Sequence, residues 1–278
     1  MLSSFIITFR ETLEAALIVG IVLAYLAKTK RTKYNNIVYI GIAAAVAASI
    51  IGALLFNSLA GGFEGRAEEI FEGISMLFAA FLITFMILWM MKQKHIIIEL
   101  HRKVDTEIKE QHKAGLFLVI FISVLREGIE TVIFLGAASF AATADSNVIG
   151  AASGMIAAVI LGYLLFVIGE RIDIKKFFNA TSVLLILFAA GLMAHGIHEL
   201  QEASVLPLTI EHVWDINPAV RADGSYPILH EKGVIGSILG DLFGYNGNPS
   251  LLEVISYFAY IILILALWKN IERIHKVI

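Results

Sequence analysis

Cysteine is absent from the 278 residues. That excludes disulfides, thiolate metal sites and a cysteine nucleophile, and leaves the redox compartment open. A metal site in this chain must use carboxylate, imidazole or backbone oxygen. Charge is scarce as well: Asp, Glu, Lys and Arg make up 16% of the chain, against about 25% in soluble domains. The formal net charge of -3 offers no field for a polyanion, so no nucleic-acid partner is expected. The N-terminus shows neither a basic n-region nor a small-residue cleavage pattern, so its first apolar stretch reads as a retained span and not a signal peptide. No Walker motif, dinucleotide fingerprint or nucleophile elbow occurs. Proline is confined to four positions, Pro207, Pro218, Pro227 and Pro249.

What fills the chain instead is apolar residue, 58% of the total, with a mean hydropathy of +0.82. A membrane-crossing helix needs about 20 mostly apolar residues. Seven stretches qualify, at roughly 3–27, 37–60, 70–91, 114–141, 148–169, 178–201 and 251–269. The predicted fold is an all-α membrane protein, a single domain over 1–278 with seven transmembrane helices. Sixteen of the 21 basic residues fall after the first, third, fifth and seventh stretches, as in Lys28, Lys30, Arg31 and Lys33. The opposite loops hold only Arg66, Arg221 and Lys232. The excess of Lys and Arg on one side predicts an external N-terminus and a cytoplasmic C-terminus in the cell membrane. Segment 92–113, with Ile96, Ile97, Ile98, Leu100, Val104 and Ile108, predicts an amphipathic connecting helix at the headgroups. The long outer loop, 203–250, carries one apolar stretch, Val234 to Phe243, that predicts a short interfacial helix.

The first and fourth stretches share a motif. Arg10-Glu11-Thr12-Leu13-Glu14 recurs as Arg126-Glu127-Gly128-Ile129-Glu130 at an offset of 116, and Leu77-Phe78-Ala79-Ala80 recurs as Leu187-Phe188-Ala189-Ala190 at an offset of 110. Residues 3–91 and 114–201 therefore read as two units of three spans each. An odd number of spans makes the units cross in opposite senses, a 3+3 inverted repeat followed by one C-terminal helix, as in many secondary transporters.

Both motifs fall near the middle of their spans. In a helix, Glu11 and Glu14 share a face and Arg10 reaches Glu14 at i, i+4; Arg126, Glu127 and Glu130 repeat this. A charged residue at the bilayer centre costs ~2.5–3.5 kcal/mol, so six facing lipid would cost roughly 15–20 kcal/mol. They must face inward, pair, or bind a cation. Fully ionised, the two motifs carry two more negative than positive charges. Two readings stand: paired Arg–Glu locks holding a bundle, or a site for a hard cation such as Fe3+, Mg2+, Mn2+ or Ca2+. Two further groups lie at outer helix ends. Glu64, Glu68, Glu69 and Glu72 are either acids favoured at a helix N-terminus or an entry site for a cation. His195, His198, Glu199 and Glu202 are either helix-end packing or a relay at the outer mouth, and their order matches no zincin pattern. Trp89, Trp268 and Tyr257 read as interfacial anchors, and Met86, Met90 and Met91 as packing.

With both motifs in place, the chain resembles the oxidase-dependent iron transporter family, the high-affinity iron permeases of fungi and bacteria. Phe71-Glu72-Gly73, Met90-Met91, His198-Glu199-Leu200-Gln201-Glu202, Val213-Trp214-Asp215, Gly244-Tyr245 and Pro249-Ser250 are similar to stretches of that family, and the likeness runs from about 3 to 270. The resemblance implies a permease, not an enzyme, that imports iron across the cytoplasmic membrane with iron as its substrate and no prosthetic group. It carries the iron-binding role to Glu11, Glu14, Glu127 and Glu130, and the motif arginines to Arg10 and Arg126. The sequence shows no large extracytoplasmic N-terminal region, so a separate extracytoplasmic oxidase, peroxidase or iron-binding partner is expected to supply Fe3+; Fe2+ is the other form of the cargo. Two alternatives stay open: a transporter of Mn2+ or Pb2+, and a membrane di-iron carboxylate enzyme. The latter would usually present Glu-x-x-His pairs, and neither motif contains one.

Overall fold

The computed structural model describes residues 1–92, 113–141, 144–168, 174–221 and 223–277. About 80% of the chain is helix, with no strand among the described residues. Lipid offers no hydrogen bond to an exposed N–H or C=O, so an apolar chain of this kind satisfies its backbone within helices. Seven are long: α1 Leu2–Lys28, α2 Asn35–Ala60, α3 Arg66–Lys92, α4 Lys113–Ala141, α5 Ala144–Tyr163, α6 Ile174–Glu202 and, after a short α7 at Val234–Phe243, α8 Leu251–Val277. Five of these helices are long and apolar enough to cross a membrane, over Thr32–Ala60, Arg66–Met90, Asn147–Phe166, Phe178–Glu202 and Leu251–Ile271. The other two, α1 and α4, have 27 and 29 residues and each carries an Arg and two Glu of the repeated motif. The chain is a multi-pass membrane protein. Several helices run one or two turns past their apolar stretches, because the hydrogen-bond ladder continues into polar surroundings. The predicted connecting helix lies outside the described residues except at its ends, Lys92 and Lys113.

Helices of the first half pack mainly on helices of the second. α1 lies along α5, α2 along α4, and α3 along α6, and α1 also crosses α4. Neighbours in sequence, such as α1 and α2 or α2 and α3, barely touch. α8 and α7 both pack on α6. Between helices in lipid there is little hydrophobic drive, so close packing of small residues takes its place. α5 shows this plainly: Gly150, Gly154, Ala158 and Gly162 recur every fourth residue on one face. A Cβ at Gly150 would meet the Met1 carbonyl, one at Gly154 the Phe5 carbonyl, and one at Gly162 the Ala16 side chain. Ser4 Oγ also donates to Asn147 Oδ1 at 2.7 Å across this seam. In α3 and α6, Gly73 and Gly196 each face the other's carbonyl. Gly244, with φ 66°, caps α7 in the left-handed region and meets Gly191 of α6 backbone to backbone.

The core divides into two apolar clusters. One joins Ile7, Ile83, Phe134, Leu185 and Ile264 from α1, α3, α4, α6 and α8. Tyr257 and Trp268, expected as interfacial anchors, pack against it. The other joins Val22, Leu26, Val38, Leu116 and Ile120 from α1, α2 and α4. Along α1 the order is first cluster, motif, second cluster; along α4 it is second cluster, motif, first cluster. The two motif helices therefore run in opposite directions, with the motifs between the clusters. The outward faces of the long helices stay apolar and exposed, as at Leu54, Phe81, Ile156 and Ile262, which is the surface lipid covers.

The α1–α5 seam predicts a contrast. Gly154→Leu forces a side chain into the Phe5 backbone, and overpacking of this kind costs about 1–3 kcal/mol or more. At Gly52 of α2 an added Cβ meets nothing within 4 Å. In detergent, the unfolding temperature of Gly154→Leu is expected to fall by several degrees while that of Gly52→Leu is unchanged; equal shifts would contradict the seam.

Candidate metal centre

The motif side chains meet where α1 crosses α4. Carboxylate oxygens of Glu11, Glu14 and Glu127 lie within 4.8 Å of one another, the one such grouping of three or more His, Asp or Glu among the described residues. Glu130, one turn beyond Glu127, is half-buried beside them. Each arginine bridges both acids of its own motif. Arg10 Nη1 lies 2.8 Å from Glu11 Oε1, and Arg10 Nη2 2.8 Å from Glu14 Oε1. Arg126 Nη2 lies 3.1 Å from Glu127 Oε1, and Arg126 Nε 3.3 Å from Glu130 Oε1. The i, i+4 pairing expected from the motif spacing is present in both helices.

The halves are not equivalent. Arg10 has no exposed side-chain surface, whereas that of Arg126 is 42% exposed. The difference traces to α3. Arg10 donates to the thioether sulfurs of Met86 and Met90, so these methionines are not mere packing. Trp89, expected at an interface, instead lies over the Arg126 guanidinium, 4.8 Å from ring centroid to Cζ. One face of α3 thus holds both motif arginines, one by two weak sulfur acceptors and one by a cation–π contact.

The arginines do not exhaust the acids. Apart from the oxygens that face the arginines, Glu11 Oε2, Glu127 Oε2 and Glu130 Oε2 are buried with no hydrogen-bond partner, as is the Thr8 hydroxyl one turn before Glu11. A buried carboxylate left this way is costly. Oxygen atoms crowded together in this way form a donor set for a hard or borderline cation. The set is all carboxylate, without the thiolates and imidazoles that softer metals prefer.

The two outer groups separate differently from their order in sequence. Glu64 and Glu68 are exposed, while Glu69 and Glu72 are half-buried. Across the α3–α6 contact, Glu199 is within electrostatic range of Glu69 and Glu72. His195, His198 and Glu202 belong elsewhere: with His212, Glu211 and Asp241 they line a cavity of about 940 Å³ between the end of α6, α7 and the loop before α8. Glu199 does not line it.

One residue escaped the sequence reading. Glu253, in the first turn of α8, is 2% exposed and its Oε1 lies 3.0 Å from His198 Nδ1. Its Oε1 also accepts from the Ser250 N–H at 2.9 Å, and the Glu253 N–H faces Ser250 Oγ at 3.3 Å. That is a capping box, and Ser-x-x-Glu ahead of an apolar run is its signature. Read as such, the pattern would have located the acid, though not its histidine.

Comparison with known proteins follows from the whole chain. Residues 1–275 match the Iron permease FTR1 family. A protein of Archaeoglobus fulgidus described only as uncharacterized is 36% identical over 268 residues, 96% of this chain and 94% of that one. The ferrous iron permease EfeU of Escherichia coli O6:H1 is 33% identical over 265 residues, 94% of this chain and 93% of its own. The protein of the same description in Yersinia pestis is 33% identical over the same length. No solved structure matches.

The unequal burial of the arginines predicts unequal losses. Removing one partner of a buried ion pair costs about 3–5 kcal/mol, and much less where water reaches the charge. In metal-free detergent, Arg10→Ala is expected to lower the unfolding temperature well below that of Arg126→Ala. Equal shifts would show that the two arginines are held alike.

Proposed function

The chain belongs to the iron permease FTR1 family, and on that premise we propose that it imports iron across the cytoplasmic membrane through Glu11, Glu14, Glu127 and Glu130. The observation that carries this reading is the approach of three carboxylates from two helices to within 4.8 Å, with oxygens that have no other partner. A purely structural lock would satisfy those oxygens. The arginines hold the glutamates in register and offset part of their charge, which keeps the ion from being bound too tightly to leave.

In this reading α1 and α4 also span the bilayer, making seven crossings. Residues 3–91 and 114–201 form inverted repeats, and 251–269 adds the last span. The reciprocal packing supports it: exchanging the halves turns the α1–α5 contact into the α2–α4 contact and leaves α3–α6 and α1–α4 in place. The bias of Lys and Arg favours an external N-terminus and a cytoplasmic C-terminus. Iron then enters at the end of the bundle that bears Glu64, Glu68, Glu69, Glu72 and Glu199 on one side and the chamber of His195, His198 and Glu202 on the other. From there it descends to the motif cluster, and rocking of one repeat against the other passes it inward. The oxygen-only cluster favours Fe3+, supplied by a separate extracytoplasmic oxidase. The EfeU relatives are described as ferrous iron permeases, which favours Fe2+.

Cells expressing the protein provide the test. One charge-assisted interaction is worth about 1.5–3 kcal/mol, so Glu14→Gln and Glu130→Gln should each cut radioactive iron uptake about ten- to a hundredfold. The amount of protein in the membrane should not change. Undiminished uptake by both variants would overturn the assignment. Supplying the iron with ascorbate or as a ferric chelate separates the two valences.

A further inference from the structure

The loop-side chamber contains three of the chain's eight histidines, and each is fixed the same way. His195 Nδ1 lies 3.0 Å from the Gly191 carbonyl, and His212 Nδ1 lies 2.9 Å from the Asn248 carbonyl. A carbonyl only accepts, so both Nδ1 atoms carry the proton and both Nε2 atoms keep a lone pair. His198 Nδ1 donates in turn to Glu253 at 3.0 Å. His230 of the same loop is the contrast. Its Nδ1 accepts from the Lys232 N–H at 3.1 Å, which puts any ring proton of the neutral form on Nε2, and it does not line the chamber.

An imidazole that donates through one nitrogen to a carbonyl or carboxylate, leaving the other open, is the arrangement found behind metal-ligating histidines. Glu253 is built for that part. It lies outside the chamber wall, it is almost wholly buried, and its second oxygen accepts from Asn246 Nδ2 at 2.8 Å. On the chamber side, His198 differs from the other two: its Nε2 lies 3.3 Å from Glu202 Oε1, so an ion there takes the place of the proton this pair shares, and Glu211 and Asp241 line the same cavity. The three imidazoles do not close on one point, since only the motif carboxylates group three ligands within 4.8 Å among the described residues. The chamber therefore offers separate nitrogen stations rather than a cage, which suits capture and release.

We propose that this chamber is a capture site for borderline divalent transition-metal ions, held through the Nε2 atoms of His195, His198 and His212 with Glu202, and that Glu253 is the positioning residue for His198. Imidazole nitrogen favours such ions over Mg2+ and Ca2+, which prefer oxygen. The naming of Fe2+ as the natural occupant rests on the iron-import reading; the capture chemistry does not.

The experiment uses the full chain in nanodiscs with Co2+ as the probe, in a Glu14→Gln/Glu130→Gln background that weakens the motif cluster. Co2+ is expected to bind with an absorption spectrum of nitrogen ligation, and hundredfold excess Mg2+ should not displace it. Glu253→Gln should weaken binding about ten- to a hundredfold, as loss of the carboxylate behind a ligating histidine does, while the nitrogen signature of the residual sites remains. The triple variant His195→Ala/His198→Ala/His212→Ala should lose both the signature and the affinity. If the triple variant does not purify as a folded species, single substitutions decide, each expected to weaken Co2+ binding. Unchanged Co2+ binding without the histidines, or displacement by Mg2+ at equal concentration, would overturn the proposal. Co2+ capture is read without transport, so normal iron uptake by the motif variants would sink the iron-site reading and leave this one standing.

Discussion

Six formal charges at the crossing of α1 and α4 are the constraint on which the rest depends. In an apolar medium they persist only if each arginine holds its acids and the cluster stays inside the protein, away from lipid. Arg10 meets Glu11 and Glu14 at 2.8 Å each and sits wholly inside the protein. That requires α3 to cover it with Met86 and Met90, and α5 to seat against α1 closely enough to exclude lipid. Small residues at 150, 154 and 162 permit that approach. The packing of the bundle thus follows from the need to bury one charged cluster, more than from any gain in apolar contact, which lipid would supply equally well.

The same cluster lies between two apolar ones. Ile7 and Phe134 close one end of the motif pair, Val22 and Ile120 the other. Dense apolar packing on both sides is a barrier to a hydrated ion, so the arrangement has the character of a closed state. In the proposed transport reading, passage requires one cluster to part while the other holds. Antiparallel α1 and α4 are suited to this, because tilting them about their crossing opens one end as it tightens the other. The unequal cover of Arg10 and Arg126 marks the Arg126 side as the one less firmly held in this conformation.

Much of the architecture was legible in the sequence because the bilayer reduces the problem to apolar length and charge. The seven apolar stretches correspond to the seven long helices, and Val234–Phe243 is a helix as its pattern predicted. The Arg10–Glu14 and Arg126–Glu130 pairings followed from i, i+4 spacing alone, whereas those with Glu11 and Glu127 did not. What stayed hidden depended on contacts between elements far apart in sequence. Met86 read as packing and Trp89 as an interfacial anchor because only the approach of α1 and α4 gives them an arginine to hold. Glu253 went unread: it is a helix-start acid in a capping box, but its second role needs α6 to bring His198 alongside. His198 and Glu199 diverge for the opposite reason: residues adjacent in a helix point about 100° apart, so His198 lines the chamber while Glu199 lies near Glu69 and Glu72 of α3.

Depth then orders the chemistry. Met1 of α1 lines the chamber, and Glu11 lies ten residues on, about 15 Å along the helix at 1.5 Å per residue. An ion in the chamber meets nitrogen donors held singly, beside carboxylates that water still reaches. An ion at the cluster meets oxygen donors only, crowded and shielded from water. The first environment selects by donor type and the second by charge, since burial amplifies electrostatics. If the chamber and the cluster act as proposed, selection by donor type comes before selection by charge, and Mg2+ and Ca2+ are refused in the chamber while Fe2+ passes on. The arginines complete the sequence. By occupying one oxygen of each glutamate, they leave the ion fewer partners than a dedicated binding protein would give it. A site that must release its cargo on the other side cannot be the tightest site the same residues could build.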